Sequence, residues 1–382
     1  MLTTSKKVLI FSLAYHPMVG GAEIAVKEIT DRIPDIEFDM ITLRFDKTHK
    51  KEEKIGNVNI YRIGGGFRYI SKILFVPQAA LFALKLHRKN KYNAFWAIMT
   101  NMLFPITLMR LFGNRTPYIS TLQDGDPFEY VFRRLRIRIF LPLLKYGFRH
   151  ASKVQTISNF LADWAWRMGY TGNSCVIPNG VDVEKFANKN VLSLASDKGD
   201  ITLITTSRLV EKNAVGDIID ALKFLPESVS LKILGTGALE QVLRSRVISL
   251  KLENRVKFLG FISPQEIPVY LHASDIFVRP SLSEGMGNSF IEAMAAGLPV
   301  IGTPVGGIPD FLKDPSTSSG QVATGLFCEV NDPKSIADKV MEYVNNPELT
   351  SKIVKNAKDM VVKKYDWNLI ASEMKSRVFD KV

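Results

Sequence analysis

The chain has 382 residues, a formal net charge of +12 and 46% hydrophobic residues. A single hydrophobic core rarely grows beyond about 250 to 300 residues, so this length predicts two domains. The balance of 46% hydrophobic and 23% charged residues excludes a disordered chain and predicts a globular protein.

The positive charge is concentrated in the first half. Residues 1–195 contain 28 lysines and arginines against 15 acidic residues, a net charge of +13, which leaves −1 for the remainder. The two cysteines, Cys175 and Cys328, fit neither a metal site nor a disulfide framework. No signal peptide and no membrane-spanning run of 18 apolar residues is predicted, so we expect a cytoplasmic protein.

Short apolar strands alternate with helical patterns along the first half. Strands are predicted at 6–15, 38–45, 58–63, 93–100, 117–123, 151–158 and the start of 175–186, and helices at 22–33, 75–89, 102–112 and 159–169. This alternation is typical of βαβ units with parallel strands.

The alternation restarts after a polar segment, 187–200, which predicts a linker. Strands follow at 201–209, 229–235, 256–261, 275–280 and 299–303, with helices at 214–225, 238–251, 264–273 and from about Asn288. A helical stretch, 350–382, breaks near Asp366. We therefore predict an α/β protein with two doubly wound, Rossmann-like domains, 1–190 and 191–366, and a C-terminal helix, about 367–382, that returns to the first domain.

A glycine-rich step between two glutamates follows the strand 275–280. Glu284 precedes Gly285 and Gly287, and Glu292 lies in the helix that follows. Glycines allow close approach of a ligand, and the amides at a helix N-terminus suit a phosphate, with the glutamates binding sugar or ribose hydroxyls. Ser289 and Glu292 also form a capping-box pattern, in which Glu292 only satisfies a backbone N–H. The residues by themselves leave both interpretations open.

Two cations and further glycines follow other strands. Arg208 and Lys212, after the strand residues 201–207, could clamp a diphosphate, with surface solvation as the alternative. Gly235 and the pair Gly20-Gly21 lie at similar strand-to-helix turns and are weaker signals. The five histidines show no metal-ligand spacing and no hydrolase triad is apparent, so we expect a transfer reaction without a metal or other cofactor.

A basic segment with interleaved apolar residues lies in the first half, between 128 and 153. An anionic membrane surface fits it better than nucleic acid, because no nucleic-acid-reading module is recognisable. The alternative is a helix with a solvated basic flank. The cations are Arg133, Arg134, Arg136, Arg138, Lys145, Arg149 and Lys153.

The sequence resembles the retaining GT-B glycosyltransferases of family four, which use nucleotide-sugar donors. The second half carries the specific segments, "RLVEKNAVGDIIDAL", "LGTGALE", "VKFLGFIS" and "YLHASDIFVRPSLSEGMGNSFIEAMAAGLPVIGTPVGGIPD". The first half matches more loosely, through "YHPMVGGAE", "TISNFLADWA" and "VIPNGVDVEKF".

The resemblance implies a GT-B fold with two domains facing a central cleft, and a role for each candidate residue. Arg208 and Lys212 would bind the donor diphosphate, Glu284 the transferred sugar and Glu292 the ribose. The remaining donor-binding candidates are the backbone of Gly285, Met286, Gly287, Asn288 and Ser289, the Gly20-Gly21 loop over the diphosphate, Gly235, and Ile262 near the base. The substrates implied are a UDP- or GDP-linked hexose and a hydroxyl acceptor such as a lipid-linked glycan, at the inner face of a membrane.

Gln123 departs from the family pattern. Many relatives carry a histidine at the end of this strand, and glutamine can donate a hydrogen bond but cannot take a proton. We keep Gln123 as a catalytic candidate, with Asp124, Asp126 or the donor phosphate as alternative proton acceptors. Two other functions stay open: a nucleotide-sugar-binding subunit that has lost catalysis, and a sugar-nucleotide epimerase, for which the sequence shows no added acid/base residues.

Overall fold

The computed structural model describes residues 5–65, 70–132, 135–188, 200–316 and 322–382, without the side chains of residues 135 and 136. The chain forms two compact units, Met1–Asn179 with Trp367–Val382, and Gly180–Asp366. The first unit ends before the predicted boundary at 190, because the N–H of Val181 donates to the carbonyl of Tyr365 in the second unit. Most of the predicted linker, 189–199, lies outside the described residues.

The described strands of the first unit form one eight-stranded sheet in the order β3-β4-β2-β1-β5-β6-β7-β8. All neighbours are parallel except β3 and β4. Strands buried on both faces read as continuous apolar runs, as in the fully buried residues 8–11 of β1. The strands are β1 Lys6–Phe11, β2 Ile36–Leu43, β3 Glu52–Ile55, β4 Val58–Ile63, β5 Ala94–Ile98, β6 Tyr118–Leu122, β7 Lys153–Thr156 and β8 Cys175–Val176.

Helices connect these strands, and the C-terminal segment packs beside them. Trp367, Met374, Val378 and Phe379 join the first unit's core, where the Phe379 ring meets the Trp96 ring at 5.0 Å. The helices are α1 Gly21–Asp31, α2 Ile70–Asn90, α3 Leu103–Leu111, α4 Phe128–Phe132, α5 Leu135–Arg149 and α6 Asn159–Arg167, with α14 Trp367–Glu373 near the C-terminus, numbered after the seven described α-helices of the second unit.

Helix α2 stands out among the described helices because it is long and apolar enough, by length and composition, to cross a membrane. Ser71, Phe75, Ala79, Ala80 and Ala83 are nevertheless buried along one side of it. A helix with a buried side of small and aromatic residues is typical of packing on a protein core. Its other side exposes apolar residues.

The described strands of the second unit form a six-stranded, all-parallel sheet in the order β11-β10-β9-β12-β13-β14. Numbered from the first strand of the unit, this is the Rossmann order 3-2-1-4-5-6. The strand order therefore reverses between β9 and β12. The strands are β9 Ile201–Thr206, β10 Val229–Leu234, β11 Val256–Gly260, β12 Ile276–Arg279, β13 Val300–Gly302 and β14 Leu326–Phe327.

The second-unit helices follow the prediction except for α7 and α12, which it did not include. Asp332 caps α12 by accepting hydrogen bonds from the N–H groups of Lys334 and Ser335. The helices are α7 Val183–Ala187, α8 Val215–Ala221, α9 Glu240–Ser249, α10 Ile267–His272, α11 Asn288–Ala296, α12 Pro333–Asn345 and α13 Pro347–Lys364. Strands β3 and β14 were also missed, because each is too short to show alternation.

Candidate functional site

The predicted donor residues of the second unit lie where its strand order reverses. Arg208 and Lys212 follow β9, and Glu284 follows β12, the two strands on either side of the reversal. In open α/β sheets this is where loops diverge and leave a crevice at the carboxyl ends of the strands. The two loops are joined directly, because the N–H of Leu282 donates to the carbonyl of Lys212 at 2.7 Å.

Arg279, the last residue of β12, is the centre of a polar network that the sequence did not indicate. Its Nη2 donates to Glu284 Oε2 at 2.5 Å and to Asn213 Oδ1 at 3.2 Å, and its Nη1 donates to Ser289 Oγ at 2.6 Å. Asn213 in turn donates to the carbonyl of Arg208 at 2.7 Å. The network therefore connects the loop after β9, the glycine-rich loop and the start of α11.

Two glycines shape the backbone around Glu284. A Cβ on Gly306, which has φ +57°, would lie 1.8 Å from the Glu284 carbonyl oxygen. The next residue, Gly307, donates its N–H to that same oxygen at 3.1 Å. Gly287, with φ +94°, precedes the first residue of α11 in a left-handed conformation. Both positions require glycine, because a side chain would be strained at these angles.

The capping-box interpretation of Ser289 and Glu292 is wrong. The N-cap of α11 is Gly287, so Ser289 already lies within the helix, where its hydroxyl accepts from Arg279. Glu292 is half-buried on α11. Burial raises the pKa of its carboxyl to about 7, and the positive charges of Lys185 and Arg279 act in the opposite direction. A carboxyl poised near neutrality is typical of a functional site.

The remaining second-unit candidates lie at the same edge of the sheet. Arg208 is exposed and Lys212 is half-buried. Gly235 follows β10 and donates its N–H to the carbonyl of Gly260, the last residue of β11, two positions before Ile262. Gly285 and Met286, both buried, lie in the loop between Glu284 and α11, and Asn288 is the first residue of that helix.

Lys185 is a further residue that the sequence did not single out. It belongs to α7, and its Nζ donates to the carbonyl of Pro264, in the loop after β11, at 2.7 Å. Its charge also lowers the pKa of Glu292. Since α7 was predicted only as a turn-rich segment, no helical signal was available to place this lysine.

The first-unit candidates also follow the carboxyl ends of strands. Gly20, exposed after β1, is the N-cap of α1, and Gly21 is the first residue of that helix. After β6, Gln123 accepts a hydrogen bond at Oε1 from Asn179 Nδ2 at 3.2 Å. The adjacent Asp124 is buried and accepts from Thr100 Oγ1 at 2.8 Å, and burial raises the pKa of its carboxyl. Polar groups of the loops after β5 and β6 therefore meet beside Gln123.

Two further sequence expectations concern metal binding and the basic segment between 128 and 153. In the part of the chain that the structure describes, no group of three or more His, Cys, Asp or Glu side chains is arranged to hold a metal ion. Within the basic segment, Arg133, Arg134 and the side chain of Arg136 lie outside what the structure describes. Of the other cations, Arg138 and Lys145 line a groove of about 790 Å³ with Phe128, Phe132, Leu141, Trp166, Arg167 and Met168.

Two family models together match most of the chain. The model described as Glycosyltransferase Family 4 matches residues 19–185, and the model described as Glycosyl transferases group 1 matches residues 187–360. The division between the two matches falls close to the boundary between the two units.

Relatives and solved structures agree with these matches. An uncharacterized glycosyltransferase of Methanocaldococcus jannaschii is 27% identical over 364 residues, 94% of each chain. The alpha-monoglucosyldiacylglycerol synthase of Acholeplasma laidlawii is 25% identical over 410 residues, 98% of this chain and 97% of the relative. HepE from Anabaena, solved in complex with UDP and glucose, is similar in fold, with a TM-score of 0.77 and 20% identity over 98% of this chain and 100% of its own.

The predicted fold class and family are therefore confirmed. The two α/β units with parallel sheets have the Rossmann-like architecture expected of GT-B enzymes. The chain belongs to the group 1 glycosyltransferases of the GT-B fold.

Proposed function

We propose that this glycosyltransferase transfers a hexose from a UDP- or GDP-linked donor to a hydroxyl acceptor, with retention of configuration and without a metal ion. One observation carries the proposal. The hydrogen-bond network around Arg279 links the loop of Arg208 and Lys212, the carboxylate of Glu284 and the first turn of α11 at the strand-order reversal. A nucleotide-sugar donor requires cations, hydroxyl acceptors and backbone amides in this kind of proximity.

Each part of the donor has a matching group. The cations Arg208 and Lys212 neutralise the diphosphate, aided by the positive end of the α11 dipole. Glu284 accepts hydrogen bonds from hydroxyls of the sugar, and Glu292 accepts them from the ribose when it is ionised. The HepE structure, which contains UDP and glucose, supports a UDP-linked hexose as the first donor to test.

The transfer step is an exchange at the anomeric carbon. A bond forms from the acceptor hydroxyl oxygen to this carbon while the bond from the carbon to the diphosphate oxygen breaks, on the same face of the sugar. The acceptor proton passes to the departing phosphate oxygen, and the nucleoside diphosphate leaves. Arg208 and Lys212 stabilise the negative charge that develops on the leaving group, which lowers the barrier more than it stabilises the bound donor.

The acceptor we propose is a lipid-linked or membrane-held glycan, with the protein peripheral to an anionic membrane on the cytoplasmic side. Helix α2 supports this, because Ile73, Leu74 and Leu81 are 62%, 48% and 69% exposed beside the exposed cations Lys72 and Lys85. A helix with apolar and basic residues on its exposed side is typical of binding in the headgroup region. The named activity of the Acholeplasma relative, a glucosyldiacylglycerol synthase, agrees with a lipid acceptor.

Vesicle co-sedimentation tests the membrane part alone. We expect binding to vesicles with anionic lipid, weakened by salt because exposed charges are screened. Leu81→Asp should reduce binding several-fold, whereas Val362→Asp, a matched change at a 49% exposed position of α13, should not. Binding that is independent of anionic lipid and salt, or equal effects of the two variants, would remove the membrane proposal.

Purified protein incubated with a panel of nucleotide sugars tests the transferase. We expect release of nucleoside diphosphate that depends on the acceptor, and a fall of about 100-fold in turnover for Glu284→Gln, which keeps the shape but loses the negative charge. A turnover unchanged by Glu284→Gln would remove the role of this residue. The anomeric configuration of the product, measured by NMR, tests retention.

A catalytically impaired nucleotide-sugar-binding subunit is the second candidate, and one observation favours it. The amide oxygen of Gln123 is already bonded to Asn179, and by the family resemblance this position would carry a histidine. This candidate predicts binding of a nucleotide sugar in calorimetry and no turnover with any acceptor. Acceptor-dependent release of the nucleotide would exclude it.

A further inference from the structure

Arg279 is a largely buried arginine at the end of a strand that is otherwise apolar. Its side chain is 12% exposed, as is that of its ion-pair partner Glu284, and the preceding strand residues 276–278 are buried hydrophobics. We propose that Arg279 is a positioning residue for the transferase. It holds the Glu284 carboxylate in the orientation that receives the donor sugar, and it fixes this carboxylate relative to the loop of Arg208 and Lys212. The inference rests on the proposed function.

The geometry of the guanidinium is the first argument. It has five N–H donors in a rigid plane, and four of its contacts reach residues from three segments. No other side chain provides several donors in such a planar fork, and lysine would supply only a point charge. The contacts are Ser281 Oγ at 3.2 Å, Ser289 Oγ at 2.6 Å, Asn213 Oδ1 at 3.2 Å and Glu284 Oε2 at 2.5 Å.

The Glu284 carboxylate retains capacity for a ligand. Its Oε2 accepts from Arg279, and its Oε1 accepts from the N–H of Gly285 at 3.1 Å. Each carboxylate oxygen has about two lone-pair sites, and each of these two hydrogen bonds uses one of them. Arg279 therefore fixes the orientation of the carboxylate without occupying it fully.

Burial is the second argument. Withdrawing an arginine and a glutamate from water costs free energy that their mutual attraction barely offsets, so an apolar pair of the same size would often stabilise the fold as well. Stability alone does not explain the pair. Orientation of a sugar-binding carboxylate does, because displacing a binding group by about 1 Å can reduce a rate about 100-fold.

Two variants separate the fork from the charge. Arg279→Lys keeps the positive charge and loses the fork, and Arg279→Met loses both. We expect kcat to fall about 100-fold in both variants, with the affinity for UDP alone within about threefold of wild type. Arg377→Met, which removes an exposed Arg–Glu pair on the first unit, is the matched control and should leave kcat unchanged.

The pH profile separates the charge of Arg279 from its hydrogen-bonding geometry. The charges that the structure brings to bear on Glu292 are those of Lys185 and Arg279, and both oppose the effect of burial. Loss of the Arg279 charge should therefore move the pH midpoint of donor binding upward in Arg279→Met. In Arg279→Lys the midpoint should stay close to that of wild type.

Full kcat in Arg279→Lys, or in a folded Arg279→Met, would overturn the proposal. Thermal unfolding identifies a variant that does not fold, and if Arg279→Met fails, Arg279→Lys decides. Failure of the proposed function looks different: wild type then turns over no donor. In that case calorimetry tests the positioning role of Arg279. Wild type should bind UDP-glucose and UDP with different affinities, and Arg279→Lys should lose this difference. An unchanged difference, or no binding of UDP-glucose by wild type, would overturn the proposal for Arg279.

Discussion

Glu292 makes the proposed donor site testable through pH. Burial raises the pKa of its carboxyl from 4.5 to about 7. The ribose hydroxyls proposed to bind there donate stronger hydrogen bonds to an ionised carboxylate than to a neutral acid. We therefore expect donor affinity to increase as the pH rises through neutrality.

The magnitude follows from the pKa. With a value of about 7, Glu292 is ionised in about a tenth of the molecules at pH 6 and about nine tenths at pH 8. If only the ionised form binds, affinity rises about tenfold between these values, or about 1.4 kcal/mol. Calorimetry should use a nucleotide sugar, because the terminal phosphate of free UDP itself titrates near pH 6, as phosphate monoesters do.

Glu292→Gln is the control, because it keeps the shape and removes the titrating group. We expect its donor affinity to be weaker than that of wild type at pH 8 and constant from pH 6 to pH 8. A wild-type affinity that does not change with pH would refute the reasoning. If the donor affinity of the variant changed with pH as much as that of wild type, the pH dependence would belong to another group.

The same carboxyl predicts a pH-dependent stability without donor. Because its folded pKa lies above the unfolded value, its stabilising contribution is present below about pH 4.5 and is lost as the pH rises through about 7. The free energy of unfolding of Glu292→Gln, relative to that of wild type, should therefore increase between pH 5 and pH 8 by at most about 3 kcal/mol. Urea unfolding at the two pH values measures the difference, and equal pH dependences would contradict it.

Three further changes test other parts of the site. Gly306→Ala should lower both the unfolding temperature and kcat, because its Cβ would meet the Glu284 carbonyl; normal values of both would contradict the described loop. Phe290→Ala should cost about 3–5 kcal/mol in urea unfolding, since this buried ring packs against Phe277 and Phe311 beneath the loop. Lys212→Ala should weaken UDP binding in calorimetry by about 1.5–3 kcal/mol with a smaller effect at high salt, and unchanged affinity would remove it from the diphosphate site.

The sequence predicts the second unit well because its signals are local. A buried parallel strand reads as a short apolar run, and the glycine-rich step before α11 has few structural alternatives. The short β3 and β14 carry too few residues to show a pattern. The capping-box motif failed because Gly287, in a left-handed conformation, begins the helix two residues before Ser289.

Arg279 could not be assigned from the sequence, since one charged residue at the end of an apolar strand usually faces solvent. Its role depends on contacts between segments that are far apart in the chain, such as Arg279 with Asn213. Lys185 was missed for the same reason, because its effect on Glu292 arises only after α7 packs on α11. Sequence motifs identified the side chains proposed to bind the donor, whereas the residues that orient them became visible only in the fold.

Arg279 acts on the two glutamates in different ways. Glu284 accepts a hydrogen bond from its guanidinium, which fixes the orientation of the carboxylate. Burial raises the pKa of Glu292 to about 7, and the charge of Arg279 opposes this rise. In the proposed reaction, the oriented glutamate, Glu284, binds the sugar, which must be aligned for transfer. The titrating glutamate binds the nucleoside, which must be released after each turnover.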